Sequence, residues 1–310
     1  MTVSDGRKNL EYKTPLDYAK MMERLNLMVE RYPFLSFSYL GETMMGRGIP
    51  ILTVGEGDRA LLFVGAQRAR EWITSMLLLR WLEEVCELYA TNGKIFRYHI
   101  GYLLSTRRVM IVPMLNPDGI EYQLHGVSAG NILYDRLHSM NGGSDDFSAW
   151  QANARGVDLS HNYSVGFSAQ KEKEKREGIL SGAPACFAGE SSESEPEVGA
   201  LCNYLRYHRD IRAVFDLQTT GEMIRYDSHG RTAPRSESMA ESLSSFSGYA
   251  LAKKDESEEF ATLSDFCIVE KNLPAFTLYC GKGESPLPPN EVFYLYTRLR
   301  KMLFLSLTLI

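Results

Sequence analysis

The sequence predicts an α/β sandwich with a largely parallel or mixed central sheet, on three observations. Four short apolar runs, Ala60–Val64, Val109–Pro113, Ala213–Leu217 and Ala275–Leu278, have the length and composition of strands buried on both faces. Stretches of helical periodicity separate them, which is the alternation of a layered α/β fold. The composition, 44% hydrophobic and 24% charged, supplies enough apolar surface for such a core and excludes disorder for most of the chain. No internal repeat and no Pro/Ser-rich linker divides the 310 residues, so one domain over 1–310 is expected.

Residues 16–32 set Leu16, Ala19, Met22, Leu25, Met28, Val29 and Tyr32 on one helical face, and Tyr32-Pro33 closes it. Phe37–Leu40 and Ile49–Val54 read as short strands joined by turns at Gly46 and Gly48. The buried strand Ala60–Val64 leads into a long helix, Trp72–Tyr89, with Leu77, Leu78, Trp81, Leu82 and Val85 inward. Val109–Pro113 ends at Asn116-Pro-Asp-Gly119, a turn signal. Glu195–Tyr207 and Ser236–Leu251 read as helices, and the charge run Lys171–Glu177 as a solvated loop or short surface helix.

Charge and cysteine usage narrow the function. With 34 Lys+Arg and 39 Asp+Glu the net charge is −5, without the broad basic footprint that phosphate neutralisation needs, so no nucleic-acid partner is expected. Cys86, Cys186, Cys202, Cys267 and Cys280 stand far apart and form no Cys-x-x-Cys pair, so reduced thiols are expected. Met1–Lys8 lacks the apolar core of a signal peptide, and no run reaches the ~18 apolar residues of a membrane span. A cytoplasmic protein without a membrane partner is the resulting expectation.

Chemistry belongs beyond the carboxyl ends of the buried strands. Those segments carry Arg68, Arg70 and Glu71 after the first, Asn116–Gly119 after the second, Gln218–Glu222 after the third and Tyr279-Cys280-Gly281 after the fourth. The loop from Asn153 to Asn162 adds Arg155, Asp158, Ser160 and His161. These arginines, glutamates and the histidine make a polar cleft suited to an anionic or peptide ligand.

In order and spacing, Gly65–Ser75, Asn116–Gly119, Gly156–Asn162 and Phe276–Tyr279 resemble the zinc metallocarboxypeptidases of the carboxypeptidase A type, over roughly residues 12–300. Trp150–Asn162, Glu193–Glu197, Gly221-Glu222 with Tyr226, and Gly281–Pro288 resemble the bacterial branch that cleaves γ-D-glutamyl-diaminopimelate peptides of cell walls. The resemblance implies a single carboxypeptidase-like sandwich, a mixed sheet with helices on both faces. It also implies a zinc held by two His and a Glu with a fourth position open to water, and a separate general-base Glu.

Most of those positions are changed here. The first His position is Arg68, the second is Gln218, and the base position is Tyr279; the Glu ligand remains as Glu71. Arginine stays protonated and cannot ligate a metal. At ~4 Å and an effective dielectric of ~20 it repels a divalent cation by about 8 kcal/mol. No cofactor is therefore expected, although related active enzymes use zinc. The Arg68 guanidinium is expected where the metal would sit, paired with Glu71 and bonded to Gln218.

By the same resemblance Arg70 contacts bound peptide, and Arg155 holds the place of the arginine that steadies the carbonyl oxyanion. Ser160-His161 stands where the family grips a terminal carboxylate, and the loop around Ser257 holds no counterpart of the mobile tyrosine of animal members. The bland alternatives are a dipole-favoured helix-start glutamate for Glu71, structural ion pairs for Arg70 and Arg155, and turn-fixing for Asp118 and Asp158. Tyr279, with an ordinary pKa near ~10, is a poor base and reads as filler of a vacated pocket. Gly126-Val-Ser-Ala-Gly130 matches a serine-hydrolase elbow in letters but lies in a loop-like stretch, not between a strand and a helix.

The expected function is a non-catalytic pseudopeptidase that binds a peptide, muropeptide-like or otherwise, or a protein partner. The alternative is an active zinc-dependent carboxypeptidase or γ-D-glutamyl-diaminopimelate peptidase with a rearranged site.

Overall fold

In the computed structural model, which describes residues 12–253 and 258–310, helix α1 (Tyr18–Arg31) leads into β1 (Ser36–Glu42), β2 (Gly48–Val54) and β3 (Arg59–Gly65). Helix α2 (Trp72–Ala90), a small hairpin of β4 (Lys94–Ile95) and β5 (Tyr98–His99), and α3 (Ile100–Thr106) precede β6 (Arg107–Val112). Then come α4 (Pro117–His125), α5 (Tyr134–Met140), α6 (Phe167–Glu177) and α7 (Pro196–Tyr207), and after them β7 (Ile211–Gln218). After β8 (Met223–Arg225), α8 (Ser236–Ser247) and β9 (Ala250–Leu251) come α9 (Leu263–Asp265), continued by a π turn at Phe266–Glu270, then β10 (Ala275–Tyr279) and α10 (Glu291–Ser306). Met1–Lys8 and Ser257 lie outside the described residues.

The sheet is mixed and eight-stranded, in the order β1-β2-β6-β3-β7-β10-β8-β9. Its centre, β6, β3, β7 and β10, is parallel, and β1, β2 and β8 pair antiparallel with their neighbours. Each apolar run buries both faces because its side chains alternate between two cores. Leu61 and Phe63 enter a core with Ile73, Leu77, Trp81 and Leu82 of α2 and Leu299, Met302 and Leu303 of α10. Ala60, Leu62 and Val64 enter the opposite core with Val198, Leu201, Cys202 and Leu205 of α7 and with Leu263, Phe266, Cys267 and Ile268. Helices thus cover both faces.

Two readings change in detail. Asn116-Pro-Asp-Gly119 is less a free turn than the start of α4. Asn116 is the N-cap, its side chain accepts from the Gly119 N–H at 3.0 Å, and Pro117 fills the first turn. The helix read as Ser236–Leu251 stops at Ser247, because Gly248 takes a left-handed φ of 73° and the chain continues into β9. The Lys171–Glu177 run is the second half of α6, with Lys171 against Glu174 at 2.5 Å. Gly126 caps the end of α4, so Ser128 has no strand behind it and no nucleophile elbow forms.

Because β3, β7 and β10 run parallel, their carboxyl ends open on one pole. Gly65 pairs beside Leu217, and Gln218 beside Tyr279.

Candidate functional site

Beyond β3 the chain turns sharply at Ala66, with φ of 50°, and a 3-10 turn over Ala69–Glu71 then leads into α2. The turn projects Arg68 over the ends of β7 and β10. Its guanidinium uses three edges: Nε donates to Ser160 Oγ at 2.9 Å, Nη1 to Gln218 Oε1 at 3.0 Å and Nη2 to Glu259 Oε1 at 2.9 Å. Nη2 also lies 3.4 Å from His161 Nε2. The Phe260 carbonyl lies 2.8 Å from His161 Nδ1, which donates to it.

Two further carboxylates lie near Arg68, Asp158 at 3.8 Å and Glu71 at 3.9 Å. Asp158 accepts from the Ser160 hydroxyl at 2.7 Å and from the Cys186 N–H at 3.2 Å. The expected pairing of Arg68 with Glu71 is thus the longer contact, and the close carboxylate is Glu259. Tyr279, at the base position, donates its hydroxyl to the other oxygen of Glu259 at 2.6 Å. Glu259 therefore bridges Arg68 and Tyr279.

The carboxyls divide by environment. Asp158 is buried, a cost that raises its pKa, yet the Arg68 charge and its hydrogen bonds bring it below the ordinary value. Glu259 is held well below the carboxylate range, since Arg68, His161 and the Tyr279 hydroxyl outweigh its desolvation. Glu71 goes the other way: burial pushes it up to about 8 against the lowering by Arg68 and the Thr219 N–H. One Glu71 oxygen accepts from the Thr219 N–H at 3.1 Å and the other has no hydrogen-bond partner among the described residues. Below this layer Asp216, pushed up to about 6 by burial, accepts from Gln67 at 2.6 Å and from Gln218 at 2.7 Å.

The donor set at the family's metal positions does not fit a divalent cation. Of Arg68, Glu71 and Gln218 only the glutamate is an anionic ligand, and a fixed guanidinium cross-links the positions that the other two ligands would occupy. Among the described residues no three of His, Cys, Asp and Glu are grouped to hold a metal ion.

The remaining predicted residues separate into two places. Ser160 and His161 join the Arg68 cluster. Arg155 is turned to another group, its Nε 3.7 Å from Glu195 Oε2, where Asn153 donates to Glu195 at 2.7 Å. Arg70 is half-buried, and its Nε lacks a hydrogen-bond partner among the described residues. Asp118 accepts from Arg47 at 2.6 Å and from the Met45 N–H at 3.1 Å, which anchors the β1–β2 turn. Cys280 is buried and its thiol pushed above the ordinary range by desolvation, unlike a nucleophile.

Glu259 was not foreseen from the sequence. It sits in an acidic stretch with no motif, and only folding brings it across to Arg68. Asp216 left a signal, an aspartate inside the apolar run Ala213–Leu217.

A family model described as Zinc carboxypeptidase (Peptidase_M14) matches residues 21–276. Gamma-D-glutamyl-L-diamino acid endopeptidase 1 of Lysinibacillus sphaericus is 29% identical over 280 residues, 90% of this chain and 69% of that protein. The uncharacterized protein YqgT of Bacillus subtilis is 27% identical over 96% of this chain and 78% of its own length. Among solved structures, thrombin activatable fibrinolysis inhibitor superposes with a TM-score of 0.73 at 19% identity, covering 96% of this chain and 74% of the other. The carboxypeptidase A of Helicoverpa armigera superposes with a TM-score of 0.69 at 16% identity over the same shares. These two likenesses establish the fold.

Proposed function

The chain belongs to the zinc carboxypeptidase family, and from that premise we propose that it is a pseudoenzyme whose cleft binds a peptide without metal catalysis. One observation carries the reading. A guanidinium occupies the centre of the site, bonded to Ser160, Gln218 and Glu259, so the family's metal and carboxylate-gripping positions are spent on holding Arg68. No general-base carboxylate remains at the end of β10, where Tyr279 donates its proton to Glu259.

The ligand class is a γ-D-glutamyl-diamino acid peptide of cell-wall type. Its support is the activity in the name of the Lysinibacillus sphaericus relative together with the segments that resemble that branch. Cytoplasmic residence is part of the same reading, supported by five free cysteines, four of them buried. No helix of the described residues is long and apolar enough to cross a membrane.

The test has two arms. After dialysis against low micromolar zinc, elemental analysis is expected to find far less than one zinc per chain. Calorimetry with a γ-D-glutamyl-diaminopimelate peptide is expected to find binding that chelator does not change, without turnover. One zinc per chain, or hydrolysis abolished by chelator and by Glu71→Ala, would replace this reading with a rearranged enzyme. The two changed positions can also be restored directly. Arg68→His combined with Gln218→His places two nitrogen ligands beside Glu71, and this variant is expected to take up zinc where the parent does not.

A further inference from the structure

A cavity lies at the other pole of the sheet. It measures about 680 Å³, within the range of small-molecule sites. The three parallel strands that end at the cleft begin here: Arg59 opens β3, Arg212 lies at the start of β7, and Lys271 precedes β10. Arg209 and Arg235 complete a rim of five cations, and no carboxylate side chain lines the cavity among the described residues. In a chain with net charge −5 this local excess opposes the overall balance.

The rim charges are largely uncommitted. Arg59, Arg209, Arg212 and Lys271 form no ion pair among the described residues. The nearest aspartate in sequence, Asp210, is drawn off by Arg108 at 2.7 Å and approached by His208 at 3.5 Å. Arg235 is fixed in place: it adopts a left-handed φ of 69°, which costs a non-glycine residue energy, and it donates to the Leu309 carbonyl at 2.7 Å. It immediately precedes α8, whose first turn has no side-chain cap. Leu205, Ile211, Met239 and Leu273 give the cavity apolar walls.

We propose that this cavity is a second binding site, for a small soluble polyanion of the phosphate-ester class that carries an apolar body. The cations supply a charge-assisted grip and the walls take the organic part. A concave site of this volume encloses a molecule, whereas a flat anionic membrane would meet only the rim. The assignment is independent of the peptide-binding reading of the cleft.

The experiment titrates the full chain with inorganic pyrophosphate and with adenosine triphosphate by calorimetry at two salt concentrations. Saturable binding of one molecule per chain is expected, tighter for the nucleotide because it adds an apolar body, and weaker at high salt. Arg59→Ala with Arg212→Ala is expected to weaken it at least tenfold while the melting temperature stays unchanged, since both side chains are exposed and unpaired. Lys282→Ala, exposed in the loop beyond the carboxyl end of β10 at the opposite pole, is expected to leave it unaltered. Absence of binding at millimolar ligand, insensitivity to the double substitution, or loss with Lys282→Ala would overturn the assignment. So would cosedimentation with phosphatidylglycerol vesicles that soluble nucleotide does not displace.

Discussion

A guanidinium and a zinc ion both gather carboxylates and amides around a positive centre, but they are lost in different ways. Zinc leaves with acid or chelator, because its ligands must be deprotonated. Arg68 keeps its charge at any pH a folded protein survives. The site should therefore be indifferent to chelator and sensitive to the side chain itself. Arg68→Ala strands buried Asp158 and leaves Glu259 with Tyr279 and its remaining neighbours, and is expected to cost about 3 kcal/mol in urea unfolding. Glu71→Gln should act oppositely. The Glu71 carboxyl, pushed up to about 8, keeps a proton that the unfolded chain gives up near its ordinary value. Between those two values the unfolded state binds fewer protons, so Glu71 lowers stability as pH rises through that window. The glutamine variant should remove this loss and gain most on the parent at about pH 8; an equal gain at pH 4 would contradict the burial argument.

The elements that carry the site depend on a few local devices. Asn116 caps α4 and also donates to the carbonyls of Gln67 and Gln151, at 3.1 and 3.2 Å, so it ties the Arg68 turn to the loop before Asn153. Asn116→Ala is expected to cost roughly 1–2 kcal/mol for the cap, and more if the two carbonyls stay buried and unpaired. Weaker protection of the Ala66–Glu71 amides in hydrogen exchange would locate the effect. Helix α2, which carries Glu71 at its start, is held to the sheet by Trp81, edge-on to Phe63 at 4.6 Å and to Phe304 at 6.1 Å. Trp81→Ala should cost about 3–5 kcal/mol, measured by denaturant titration.

Over the whole molecule the buried carboxyls give a stability profile with two sides. Glu71 and Glu197 are both pushed up to about 8 and Asp216 to about 6, chiefly by desolvation. Each subtracts stability as pH rises from the ordinary carboxylate value towards its folded one. Glu259 and Asp158 are held low, so their contribution is present above the ordinary value and is lost as pH falls through the folded one. The melting temperature should therefore peak on the mildly acidic side, near about pH 5, and decline towards pH 8. Glu197→Gln should flatten that decline, and a peak above neutrality in the parent would refute it. The two poles of the sheet share strands but use different residues, so a peptide at one and an anion at the other should bind additively.

The sequence by itself determined the layered fold, because burial on both faces writes continuous apolar runs such as Ala60–Val64 and burial on one face writes the helical stripe of α1 at Leu25 and Met28, although Ala19 of the expected face is exposed and Met21 is buried rather than Met22. It also determined which residues stand at Arg68, Glu71, Gln218 and Tyr279, because the order of strands and turns fixes the residues just beyond each carboxyl end. The short strands β8 and β9 and helix α5 were illegible, since so few residues carry no period. Only the tertiary structure decided which groups meet. It gave Arg68 to Glu259, about 190 residues away in sequence, rather than chiefly to Glu71, and turned Arg155 towards Glu195. It also assembled five cations from β3, β7 and the segments that precede β7, α8 and β10 into one cavity. Charge pairing acts through space at a few ångströms, and no local pattern encodes which distant loop will arrive there.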